Sequence, residues 1–161
     1  MGREAMSNEL QGLLVVMASL SHGLEQVLGR GAAPVTFRAG RTVGLKSEVK
    51  RKETDLLQAL GVLQEELATR GIVWPFELWK PKSAADYIYD KGGKSAVKLV
   101  FRNCLVRCAL FRYGHEQKLS LCMMNHGLFC GYLQKITGKR PELEILHAGE
   151  NACLKELTWS D

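Results

Sequence analysis

Four side chains near the end of the chain, Cys122, Glu144, His147 and Cys153, are of types that bind a transition metal. Two thiolates, an imidazole and a carboxylate make a tetrahedral set, and its sulfur and nitrogen content favours zinc. Two residues separate Glu144 from His147, and five separate His147 from Cys153. Ala148-Gly149-Glu150-Asn151 reads as a tight turn, so the segments on either side form a hairpin whose ends face one another. In a straight strand Glu144 and His147 point to opposite faces, so both reach one ion only where the strand bulges. A rival set replaces Glu144 by His126, which lies four residues after Cys122 on the same helix face. Cys122, His126 and Cys130 also read as plain core, because a free thiol packs as a small hydrophobe. The spacing is not that of a zinc finger or ribbon.

Catalytic readings fare worse. Cys122 and His126 can be drawn as a nucleophile pair, but no third group orients them. No GxSxG, HExxH or paired-carboxylate arrangement is present, so no catalytic residue is assigned and an enzyme is not the expected class. The five cysteines are odd in number and mostly sit in apolar surroundings, which argues against a disulfide framework. Binding is the stronger theme. Trp74, Phe76, Trp79, Tyr87, Tyr89, Phe101, Phe111 and Phe129 hold most of the aromatic surface. Most of such residues build core, but indole N–H and phenol O–H groups among them can orient an apolar ligand carrying one polar group.

The elements that must position these groups follow from periodicity. Leu10, Leu13, Leu14, Met17, Leu20, Leu24, Val27 and Leu28 form a helical stripe wide enough for the core and a second copy of the chain, with Gly29-Arg30-Gly31 as the expected stop. Phe37, Gly40 and Gly44 share one face of a second helix, where glycines allow a neighbouring helix to come close. Leu56, Leu57, Leu60, Leu63 and Leu67 mark a third helix ending at Gly71. The stretch 72–79 is aromatic and broken by Pro75, which predicts a strand edge or draping loop. Val97, Leu99 and Phe101 alternate with Lys98, Val100 and Arg102 as a strand, and 105–111 reads as a second one. A long helix over 116–137 carries Cys122, His126, Phe129 and Cys130 and ends at Gly138. Strands over 142–147 and 153–159 close the chain. The order predicts one α+β domain over 1–161, with N-terminal helices over 4–70 and sheet, long helix and hairpin over 72–159.

Composition sets the outer bounds. At 161 residues, 46% hydrophobic and 24% charged, the chain can bury a real core and is neither disordered nor a rod. A net charge of +5 is too modest to point to nucleic acid. No uninterrupted apolar run reaches the ~18 residues of a membrane span. The N-terminus lacks the pattern of a secretory signal, so a cytoplasmic protein is expected.

The segments Cys122 to Lys139 and Glu144 to Cys153 resemble the 4-vinyl reductase domain family. Gly127, Gly131 and Gly138 match its helix glycines, and Gly149-Glu150-Asn151-Ala152-Cys153 matches its last motif. Phe37-Arg38-Ala39-Gly40-Arg41 resembles its early helix, and Arg102-Asn103-Cys104 its central strand. The resemblance implies an α+β homodimer related to the small subunits of the TRAPP tethering complex, paired through its N-terminal helices around a hydrophobic cavity. It implies sensing of small hydrophobic or aromatic molecules, with Trp74, Phe76, Trp79, Tyr87, Phe101, Phe111 and Phe129 as lining. It also implies a structural zinc on Cys122, Glu144, His147 and Cys153, with His standing where the family has Cys. Two other readings stay open: a scaffolding or assembly factor that holds a protein partner, and an accessory protein of tetrapyrrole or bacteriochlorophyll metabolism.

Overall fold

The computed structural model describes residues 3–102, 104, 106, 107, 114, 117–149 and 151–160. Helix α1 (Arg3–Leu28) leads through a single 3-10 turn (Gly29–Gly31) into α2 (Ala32–Lys46). Helix α3 (Leu56–Ala68) and three strands follow: β1 (Glu77–Trp79), β2 (Ile88–Lys91) and β3 (Lys94–Phe101). Then come α4 (Ser120–Thr137), β4 (Pro141–Ala148) and β5 (Cys153–Trp159). The class is α+β, with helices on an antiparallel sheet.

Gly29-Arg30-Gly31 ends the first helix as expected, but the break is a single turn: Gly29 turns at φ +52° and the chain resumes as α2 at once. As a result, the run Leu10–Lys46 is long and apolar enough, by length and composition, to cross a membrane, although its polar residues interrupt any purely apolar stretch. Only 11% of the apolar window is buried. The second strand expected over 105–111 is not found where it is described, since Val106 and Arg107 lie in a turn and a helical residue.

The sheet order is β1-β3-β5-β4, and β2 also pairs with β3, beyond β1 on the same edge. Alternation sorts the strands into two faces. Val97, Leu99 and Phe101 of β3 and Cys153, Lys155, Leu157 and Trp159 of β5 point inward and are buried. The outer face is polar: Glu156 bonds the Lys91 ammonium and the Tyr89 hydroxyl, and Lys98 stands over the Trp79 and Tyr89 rings at 5.3 and 5.5 Å. Burial pushes the Glu156 carboxyl up, but the bonds from Lys91 and Tyr89 outweigh it and hold the group low.

Helix α4 is the centre of the fold. One side carries Phe129, Leu133 and Ile136 against the sheet and α3. The other meets α2 through glycines on both helices, Gly40 and Gly44 against Gly127 and Gly131. A Cβ on Gly44 would stand 2.6 Å from the Tyr132 backbone nitrogen, so the two backbones touch with no room for a side chain. Gly138 closes α4 at φ +74°, a left-handed cap that glycine adopts without strain. At its start α4 has no cap of its own. Glu25 of α1 instead accepts from the Ser120 backbone N–H at 3.1 Å and from the Ser120 hydroxyl.

Asp55 caps α3 by accepting from the Gln58 N–H at 2.9 Å. Glu66, buried in the same helix, accepts from Arg70 at 2.8 Å and from the Lys50 backbone N–H at 2.7 Å. The Arg70 bond first, and the Lys50 bond next, hold this carboxyl below the usual carboxylate range against the opposing effect of burial. A carboxyl depressed on folding stabilises above its unfolded value, and that stability is lost as pH falls through the folded value. Glu66→Gln is therefore expected to flatten the fall in thermal midpoint between about pH 5 and pH 3. An acid limb as steep as that of the unaltered protein would show that Glu66 does not govern it.

Candidate ligand site at the inner face of the sheet

Four rings meet where α4 crosses β3. Phe101 is placed by strand alternation, Phe129 by the apolar stripe of α4, and Trp74 and Phe76 by the loop that leads into β1. Trp74 lies 5.1 Å from Phe101 and 5.9 Å from Phe129, while Phe76 lies 5.3 and 5.7 Å from the same two rings. Tilted and edge-on geometries at these distances are the favourable ones for aromatic pairs. The Trp74 indole N–H is buried there without a hydrogen-bond partner.

The other expected lining residues lie elsewhere. Trp79 faces the outer side of the sheet beside Lys98, because its register partner is Lys98. Tyr87 is exposed, with the Lys80 ammonium 5.2 Å from its ring. Phe111 falls outside the described residues.

Next to the rings is a narrow recess with about 10 Å³ of free volume, partly open to solvent, bordered by Cys104, Arg107, Asn125, Cys122, Cys153 and Lys155 among others. Lys155 is 3% exposed, and its ammonium stands 4.3 Å from the Phe101 centroid and 4.9 Å from that of Trp74. It therefore separates the rings from the recess. No carboxylate pairs with it among the described residues. Burying an ammonium costs several kcal/mol, and a desolvated cation–π contact returns about 2 kcal/mol, so the two rings do not offset the cost alone. Burial pushes the Lys155 amine down, and the nearby thiols of Cys104, Cys122, Cys153 and Cys130 pull it back. Asn125 is buried too, with its side-chain nitrogen unpartnered.

The expected metal set is only half assembled. Cys122 and Cys153 border the same recess. Glu144 pairs in register with Glu156 and reaches Lys91 at 3.7 Å, which puts it on the outer face. The bulge that the set required is present between Ile145 and His147, but it sets His147 opposite Leu154, again on the outer side. His126 is buried on α4, and neither ring nitrogen makes a hydrogen bond. Burial first, and Lys155 second, push its imidazole down to about 3, despite a contribution from the Leu143 backbone in the other direction. Burial raises the Cys122 thiol, and it pushes Cys130 up to about 12. Among the described residues no three His, Cys, Asp or Glu side chains stand close enough to hold an ion. With Glu144 and His147 on the outer face, the four expected ligands do not converge on one point.

Lys155 and Asn125 did not stand out by residue type. The signal for Lys155 was available, because strand alternation puts it on the face of Cys153, Leu157 and Trp159.

No family model matches the chain, and no curated protein matches it. Among solved structures the chain is similar to the phenol-responsive sensory domain of the transcription activator PoxR, in a crystal structure with phenol. The TM-score is 0.62 at 15% identity, over 91% of this chain and 74% of that one. The likeness is one of fold.

Proposed function

We propose that this chain is a sensory or binding domain for a small aromatic or hydrophobic molecule, of the kind implied by its resemblance to the 4-vinyl reductase domain family. The observation that carries the reading is the four-ring cluster with an unpartnered indole N–H buried at its edge. An apolar ligand with one acceptor would satisfy that N–H and replace ring-to-ring contacts by ring-to-ligand ones. The fold shared with a domain that binds phenol supports the same reading. Zinc is left out of it, because the expected ligands lie on two faces of the sheet.

A second copy of the chain completes the proposal. Leu13, Val16, Leu20 and Val27 of α1 are 57, 55, 65 and 82% exposed, a row of apolar side chains that single-copy packing leaves in water. Pairing through α1 would cover them. The test of both parts is one titration. Phenol, indole and toluene at tenfold excess over Kd should each stabilise the full chain by about 1.4 kcal/mol, or ~3–6 °C. Light scattering on the same samples should report twice the chain mass. No shift with any of the three compounds refutes ligand binding, and a monomeric mass refutes the pairing.

A further inference from the structure

The unpartnered groups around the recess have one thing in common: they are nitrogens. The Trp74 indole N–H and the Asn125 side-chain nitrogen are buried without acceptors, and Lys155 adds an ammonium with no carboxylate beside it among the described residues. Lysine is almost never so deeply buried unless it is paired. Around Lys155 the described acidic side chains are turned away, since Glu142, Glu144 and Glu156 all face the outer side of the sheet. Among the described residues the local surplus is of donors and positive charge, and what they lack is an oxyanion.

We propose that the recess takes the carboxylate of a small aromatic acid, paired with the Lys155 ammonium and held by Asn125, with the ring of the acid directed to Trp74 and Phe101. This rests on the ligand-binding reading above and narrows it to an acidic ligand. The placement of Lys155 supports both halves: its amine borders the recess on one side and two ring faces on the other. The free space beside the amine is about that of one water, which suits a carboxylate oxygen; the ring of the acid takes space now filled by side chains.

Benzoate and benzamide share a shape and differ in charge, so they are the probes. In calorimetric titration of the full chain at pH 7, benzoate should bind at least tenfold more tightly than benzamide. Lys155→Met should abolish that preference, so that benzoate and benzamide bind the variant within about twofold of each other. Equal or weaker binding of benzoate by the unaltered protein overturns the proposal whether or not the variant folds. So does a Lys155→Met protein that keeps the preference. If phenol, indole or toluene bind and benzoate does not, the acidic-ligand inference fails alone. If no aromatic compound binds, the ligand-binding reading falls with it.

Discussion

Gly127→Ala is expected to cost the protein about 3 kcal/mol or more, a large share of the ~5–15 kcal/mol that holds a domain together. In an exposed helix the same change gains about 1 kcal/mol of propensity. Here the clash decides the sign. A Cβ on Gly127 would overlap the Phe37 carbonyl oxygen and stand 2.8 Å from the Arg41 nitrogen. Both are backbone atoms of α2, so no rotamer change makes room. The helices must separate, and the contacts of Gly40, Gly44 and Gly131 loosen together. Gly61 is the control: it lies in α3 with nothing within 4 Å of its would-be Cβ. Gly61→Ala should raise stability by about 0.4–1 kcal/mol. Urea unfolding of the two variants should move the midpoint in opposite directions. Equal shifts would show that α2 and α4 are not in backbone contact.

The second large effect is at Phe129. Its ring is fully buried and lies within 6.0 Å of the Phe101, Trp74 and Phe76 centroids. Phe129→Ala should lose about 3–5 kcal/mol, the sum of lost transfer energy and an unfilled cavity. The cavity would be walled by the other three rings. Benzene, which fits an apolar hole of that shape, should therefore return part of the lost stability to the variant and none to Gly127→Ala. A loss below about 1 kcal/mol would mean that the four rings do not pack as one unit.

Helices α1, α3 and α4 and strand β3 are legible because each has a strong period, whereas β1 and β2, at three and four residues, are too short to carry one. The Gly40 and Gly44 pair was read from spacing as a close helix contact, and that contact is what anchors α2 on α4. Trp74, Phe76, Phe101 and Phe129 were named among the aromatic residues, but residue type could not separate them from Trp79 and Tyr87. That separation depends on which sheet face each strand presents, and for β1 the face is set by pairing with Lys98. The metal set failed for a related reason. Sequence spacing shows that a bulge brings Glu144 and His147 to one side of β4, but not which side, and the buried Leu143 and half-buried Ile145 take the inner one. Lys155 was passed over because a lysine in a strand is ordinarily a solvent-facing residue. Its neighbours at two-residue spacing, Cys153 and Leu157, gave the opposite answer.

Glu25 gives α1 a handle on the centre of the molecule. The amide and hydroxyl it grips belong to Ser120, the residue that opens α4, and Cys122 and Asn125 on the next turns border the recess. A twist of the outermost helix, whatever body lies against it, pulls directly on the turn from which those side chains hang. Thermodynamic linkage makes the traffic reciprocal, so a guest seated beneath α4 changes how firmly α1 is held by its neighbour. The molecule thus contains a ready lever between its rim and its interior, with one carboxylate as the pin.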